Sequence, residues 1–230
     1  MEKFIDNLKN ILQERLISVF MYGSKVKYSQ ELVKTDMNVM VIVKNLSGSD
    51  IRACSEIVNK WMKAKNPIPV FMDREEWFHS SDVYAMEYAD IKAEHRILYG
   101  EDLISDLNVD PDNIRFQCEQ ETKNLLMRFR QFYLENAHSP KRLKDSFVPL
   151  AKTCNAIFKA ILRVKFTDIP SEKEDIIKKL AEISGLEAST YIKLLGYKRK
   201  QCKMNDKETI AFADEIVDAL TKLLDYTNNM

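Results

Sequence analysis

Two groups of polar residues, each beside an apolar run, are the part of this sequence that points to a chemistry. An apolar run over residues 16–22 breaks at Gly23-Ser24, and Asp36-Met37-Asn38 opens a second apolar run over 39–43. Side chains alternate along a strand, so Asp36 and Asn38 should project from the same face, toward the turn. Oxygen ligands of this kind suit a hard cation, and a glycine turn suits a phosphate. The spacing therefore predicts a site for a phosphate and a metal ion.

The residues at the turn each suit contact with a phosphate. Gly23 can take backbone angles that other residues rarely adopt, which lets the chain approach a ligand closely. The Ser24 hydroxyl can donate to phosphate oxygens, as can the amides that open a short helix expected over 25–33. Lys25 and Lys27 could add positive charge there, although solvated positions are favoured for both. The plainer alternative is a turn that only ends a strand.

The segment from Tyr22-Gly23-Ser24 to Asp36-Met37-Asn38 resembles the signature of the DNA polymerase β-like nucleotidyltransferases. Their pattern is a Gly-Ser turn, a short spacer, and Asp-x-Asp opening an apolar strand. The helical C-terminal half is similar to that of the aminoglycoside nucleotidyltransferases. The resemblance implies that Asp36 and Asn38 bind Mg²⁺ or Mn²⁺, with Asp36 catalytic. It also implies that Gly23, Ser24 and Lys25 contact a nucleoside triphosphate.

Asn38 departs from this pattern, because the family has a second acid at its position. An amide oxygen can bind a hard cation but contributes no negative charge. At about 4 Å and a realistic dielectric, the missing charge costs the ion about 1–4 kcal/mol of attraction. Asn38 is therefore either a weak ligand or an inert remnant.

The resemblance also implies a third carboxylate from a neighbouring strand. The predicted third strand has a proline where that acid should lie, and Asp73 lies beyond its end. Glu87 is the preferred candidate, within an apolar stretch over 83–91 that we interpret as a strand with Asp90 on its opposite face. Glu87 would bind a second ion or accept the proton of the attacking hydroxyl. A structural ion pair with an arginine explains Glu87 equally well.

These residues lead to one functional hypothesis and two alternatives. The first is transfer of a nucleoside monophosphate from a Mg–nucleoside triphosphate to an unknown hydroxyl acceptor, either a small molecule or a protein. The second is a degenerate nucleotidyltransferase that binds a nucleotide or a partner without turnover. The third, a toxin–antitoxin component, is not favoured, because Arg130 and His138 do not have the Arg-to-His spacing of the helical ribonucleases that such enzymes accompany.

Hydrophobic periodicity predicts an α+β domain over 1–110 and an all-α antiparallel helical bundle over 111–230. In the first domain we expect helices over 2–14 and 51–65, and strands over 16–22, 37–44 and 68–72. In the second we expect helices over 112–135, from 140 onward, and over 172–183, 187–197 and 206–227. The aromatic residues of the long helices should form the bundle core: Phe116, Phe129, Phe132, Tyr133, Phe147 and Phe158.

Composition excludes several classes of protein. With 45% hydrophobic and 30% charged residues and no net charge, the chain is an ordinary globular protein, and a nucleic-acid partner is not expected. Four scattered cysteines and three histidines do not have zinc-site spacing, and His95 is expected to be structural. No signal peptide or membrane-spanning run is evident, so we expect a cytoplasmic protein. The sequence leaves a homodimer open.

Overall fold

The computed structural model describes residues 1–23 and 38–230. They form two compact units, Met1–Val109 and Asp110–Met230. The first is a four-stranded mixed sheet with flanking helices, and the second is helical. The predicted α+β fold class is confirmed.

Besides a short 3₁₀ helix (Gln13–Arg15), the first unit contains four α-helices and four strands within its described residues: α1 (Glu2–Leu12), β1 (Leu16–Tyr22), β2 (Asn38–Val43), α2 (Gly48–Lys63), β3 (Val70–Asp73), α3 (Arg74–His79), α4 (Ala85–Ala93) and β4 (His95–Gly100). The strand order is β3-β2-β1-β4. β1 is antiparallel to β2 and to β4, and β3 runs parallel to β2. β2 is central, as its continuous apolar sequence predicts, and the proline-flanked β3 lies at an edge.

Helices cover both faces of the two central strands. On one face, Val19 and Val41 pack with residues of α1 and α2, including Leu8 and Trp61. On the other face, Phe20, Met40 and Ile42 pack with Trp77 of α3 and with Tyr88 and Ile91 of α4. Because both faces are buried, the polar ends of β1 and β2 are where these strands can meet a ligand.

The strand predicted over 83–91 is wrong, because Ala85–Ala93 form helix α4. Ala85, Tyr88 and Ala89 are buried at the i, i+3, i+4 spacing of a helix face. Alanine, methionine, glutamate and lysine also favour a helix over a strand. An apolar run of this length does not by itself distinguish a buried strand from a buried helix.

Contacts between Tyr88 and Trp77 fix α4 against α3, and Trp77 packs in turn on Phe20 of β1 with ring centroids 5.2 Å apart. The rings of Trp77 and Tyr88 stack with centroids 4.5 Å apart. The Tyr88 hydroxyl donates to the backbone carbonyl of Trp77 at 2.7 Å, and Trp77 Nε1 donates to the carbonyl of Leu103 at 3.2 Å. Paired buried rings with satisfied polar atoms hold a helix in one orientation. α4 therefore presents its first turn at a defined place.

The second unit consists of five helices: α5 (Pro111–Asn136), α6 (Pro140–Lys165), α7 (Lys173–Ser184), α8 (Ala188–Lys198) and α9 (Asp206–Asn228). Phe129, Phe147 and Phe158 are buried as predicted, but Phe116 is 63% exposed and does not belong to the core. Within residues 1–23 and 38–230, no helix has the length and apolar character needed to cross a membrane.

Candidate functional site

The candidate site lies at the edge of the sheet where β1 ends and β2 begins. Tyr22, the last residue of β1, is directly opposite Asn38, the first residue of β2. Gly23 follows with φ +86°, a left-handed conformation that disfavours any residue with a Cβ. Gly23 and Asn38, which the sequence predicts to lie close together, are therefore adjacent in the structure.

Gly23 is close to the side chain of Asn38. A Cβ atom at position 23 would lie 3.2 Å from Asn38 Nδ2. The Gly23 amide donates to the carbonyl of Glu94 at 3.0 Å, so this amide is used in holding the chain and is not free for a phosphate. Gly23 thus provides a left-handed backbone without a side chain next to Asn38, but its amide is not a free hydrogen-bond donor.

Glu87 lies in the first turn of α4 and not in a strand, which corrects its predicted setting. Burial and the nearby Glu87 carboxylate raise the pKa of the Tyr22 hydroxyl. Glu87 is therefore close to Tyr22, which pairs with Asn38. Helix α4, and not the predicted strand, brings Glu87 to this edge of the sheet. The placement of Asp90 on the opposite face also fails, because residues three apart lie on neighbouring parts of a helix surface.

Asp73 is at the far end of the sheet from Asn38. It pairs with Val43, the last residue of β2, which puts it about 16 Å along the strand from Asn38. Its carboxylate accepts from the amides of Glu75 at 2.8 Å and Leu46 at 2.9 Å, and these bonds lower the pKa of Asp73. Asp73 is a helix cap and not a ligand for this site.

Two residues of this edge were not identified from the sequence as part of a site. Tyr22 pairs on its other side with His95, the first residue of β4, so His95, Tyr22 and Asn38 form a row across three strands. Nδ1 of His95 is 3.0 Å from the carbonyl oxygen of Ile91 in α4. The alternation of side chains along β1 could have marked Tyr22, but the pairing of β1 with β4 has no local signal.

Comparison with solved structures identifies the fold. The crystal structure of spectinomycin adenyltransferase AAD(9) from Enterococcus faecialis, with ATP and spectinomycin, aligns with 96% of this chain and 99% of its own at a TM-score of 0.57 and 14% identity. This chain has the fold of that nucleotidyltransferase. The fold that the resemblance implies, an α+β unit followed by a helical unit, is therefore confirmed.

The other comparisons support no further inference about the fold or the function. Two toxin–antitoxin crystal structures, one with AMP-PNP, align with 60% of the chain at 16% identity, covering 93% and 99% of their own chains. Their TM-scores of 0.29 and 0.32 are too low for an inference. No model of a protein family matches the chain, and no curated protein sequence does.

The described residues do not by themselves make a metal site. Within residues 1–23 and 38–230, no three His, Cys, Asp or Glu side chains cluster in a way that would hold an ion. Asn38 and Glu87 offer one amide oxygen and one carboxylate at this edge of the nucleotidyltransferase fold. Ser24, Lys25 and Asp36 lie outside the described residues, so their predicted roles, including Asp36 as metal ligand, stay predictions.

Proposed function

We propose that the protein transfers a nucleoside monophosphate from a Mg–nucleoside triphosphate to a hydroxyl group of a small molecule or protein. Gly23, Ser24 and Lys25 would contact the triphosphate. Asp36 and Asn38 would hold the ion, and Glu87 would bind a second ion or accept the proton of the hydroxyl. When bound, Mg²⁺ would supply positive charge to the triphosphate oxygens.

The observation that carries this proposal is the convergence of three features at one sheet edge. These are a left-handed glycine close to Asn38, the side chain of Asn38 itself, and the exposed carboxylate of Glu87, whose charge adds to burial in raising the pKa of the neighbouring Tyr22. The edge belongs to a fold shared with an adenyltransferase that was crystallised with ATP. Central strands that are buried on both faces leave their polar ends as the natural place for a ligand.

In the proposed reaction, the acceptor oxygen forms a bond to the α-phosphorus, and the bond from that phosphorus to the β-bridging oxygen breaks. The hydroxyl proton passes to a base, and pyrophosphate leaves with the bonding electrons. Binding both substrates in line contributes to the rate by orientation.

Pyrophosphate release from ATP, GTP, CTP and UTP tests the proposal directly. Spectinomycin is the first acceptor to try, because the similar structure contains it. We expect Mg²⁺-dependent release by the wild type and its loss in Asp36→Ala, whereas Asp6→Ala, which removes an exposed acid of α1, should retain it. No release with any acceptor, or release that is unaffected by Asp36→Ala, would refute the enzyme hypothesis.

A nucleotide- or partner-binding module without turnover is the second candidate, and a specific observation favours it. Asn38 is uncharged, and β3 begins only at Val70, opposite Met40, so its described pairing with β2 places no acid opposite Asn38. Such a module should be stabilised against heat by a triphosphate without forming product. Calorimetry separates the candidates, because the degenerate site should bind triphosphate equally well with and without Mg²⁺.

A further inference from the structure

His95 lies beside the proposed site in a position set by backbone pairing. Tyr22 pairs with Asn38 on one side and with His95 on the other, and paired side chains of adjacent strands project from the same face. Neighbouring strands are about 5 Å apart, so the backbones of His95 and Asn38 are about 10 Å apart with Tyr22 between them. This face also carries Phe20 and is the one that α4 covers.

A hydrogen bond fixes which nitrogen of His95 can act as a base. Nδ1 lies 3.0 Å from the carbonyl oxygen of Ile91, and a carbonyl oxygen only accepts, so Nδ1 carries the hydrogen. The lone pair of the neutral ring is then on Nε2. Within the described ranges, the half-buried ring makes no other hydrogen bond. The contact with Ile91 therefore orients the ring and leaves Nε2 as its basic nitrogen.

The groups around His95 favour a base at this position over the neighbouring tyrosine. Burial, together with the charge of Glu87, raises the pKa of Tyr22, which keeps its phenol protonated near neutral pH. The amide of Ile104 and, to a smaller extent, His95 lower the pKa of Asp102, so this carboxylate is charged and would stabilise an imidazolium. Histidine is the side chain best suited to take a proton at physiological pH.

We propose that His95 Nε2 accepts the proton of the attacking hydroxyl in the nucleotidyl transfer described above. The acceptor oxygen bonds to the α-phosphorus as its proton moves to Nε2, pyrophosphate leaves, and the imidazolium later returns the proton to water. Glu87 then serves as an ion ligand. This assignment rests on the proposed function and adds the identity of the base.

The variant His95→Asn separates this role from a structural one. The amide nitrogen of asparagine can replace Nδ1 and donate to Ile91, but no basic nitrogen replaces Nε2. The matched control is His79→Asn, which changes an exposed histidine at the end of α3 in the same unit. His95→Gln, which places an amide near Nε2, is a second variant should His95→Asn fail to fold.

The experiment measures pyrophosphate release from ATP and Mg²⁺ across pH 5–9, with water as acceptor, which gives AMP, and with spectinomycin, which gives adenylylated spectinomycin. We expect His95→Asn to lower the rate about 100-fold or more and to abolish the acid limb, along which the wild-type rate falls about tenfold per pH unit. Affinity for a non-hydrolysable ATP analogue should change less than about threefold, and added imidazole should partly restore the rate. His79→Asn should behave as the wild type.

Other outcomes identify which proposal has failed. Full activity with an unchanged acid limb in His95→Asn or His95→Gln would overturn the role of His95 and leave the nucleotidyltransferase proposal standing. Loss of analogue binding in both variants would also overturn it, because it indicates a structural role. ¹⁵N NMR of the imidazoles provides a readout without turnover: we expect His95 to carry its hydrogen on Nδ1 and to shift on analogue binding, while His79 does not. Absence of both turnover and analogue binding in the wild type would count against the proposed function itself.

Discussion

Replacing Gly23 with alanine should destabilise the first unit by about 1.5–3.5 kcal/mol. At φ +86° an L-residue loses about 1–2 kcal/mol relative to glycine. The new Cβ would lie 3.2 Å from Asn38 Nδ2, so the Asn38 side chain must move a few tenths of an ångström. Forcing it from its preferred rotamer adds about 0.5–1.5 kcal/mol. The same displacement should weaken binding of a nucleoside triphosphate at this edge.

Tryptophan fluorescence during urea unfolding measures this change in the correct unit. The protein has two tryptophans, Trp61 and Trp77, and both are buried in Met1–Val109. The matched control is Gly48→Ala, in the first turn of α2, where an added Cβ meets nothing within 4 Å. It should change the free energy of unfolding by less than about 0.5 kcal/mol.

A double variant separates the two parts of the Gly23 effect. If crowding contributes, Asn38→Ala should relieve it, so Gly23→Ala combined with Asn38→Ala should be about 0.5–1.5 kcal/mol more stable than the sum of the single changes predicts. A Gly23→Ala protein as stable as the wild type, or strict additivity in the double variant, would refute the described packing of Gly23 against Asn38.

Three further predictions concern stability and ion binding. Gly100→Ala should lower the free energy of unfolding by more than about 3 kcal/mol, because the added Cβ would lie 1.9 Å from the carbonyl oxygen of Ile17. A decrease below about 1 kcal/mol, measured by tryptophan fluorescence, would contradict this contact between the strands. The Arg15 guanidinium donates two bonds of 2.6 Å to Asp50 and holds the pKa of that carboxyl below its ordinary range. Because the pKa of Asp50 is lower in the folded protein, its charge stabilises the fold above about pH 4, and this stabilisation is lost as the pH falls further. Asp50→Asn should therefore reduce the dependence of the free energy of unfolding on pH between about pH 4 and pH 2. An unchanged slope in acid unfolding would count against the ion pair. Asn38→Asp should increase the affinity for Mg²⁺ in the triphosphate complex at least about fivefold, which corresponds to about 1 kcal/mol of added attraction. Calorimetry measures this change, and a lower affinity would show that Asn38 does not belong to the ion site.

The sequence predicts most of the elements that carry their own periodicity. β1 and β2 were recognisable as continuous apolar runs that end at polar residues, and the helices of the second unit as repeating apolar faces. α4 was mistaken for a strand because its apolar residues are nearly contiguous. β4 went unrecognised because its pairing with β1 is a non-local contact.

The candidate site was predictable only in part, for the same physical reason. The proximity of Gly23 and Asn38 follows from strand alternation, which is a local property. The proximity of Glu87 to Tyr22 depends on the orientation of α4, which the contact between Trp77 and Tyr88 determines. Tertiary packing of this kind is not readable from a single sequence.

The proposed function requires the edge formed by Gly23 and Asn38 to bind a nucleoside triphosphate. A crystal structure with α,β-methylene ATP and Mn²⁺ tests it most directly, because the analogue resists cleavage and Mn²⁺ gives anomalous density. We predict the triphosphate beside Gly23 and anomalous density beside Asn38. A triphosphate bound elsewhere, or no bound nucleotide at saturating concentration, would refute nucleotide binding at this edge.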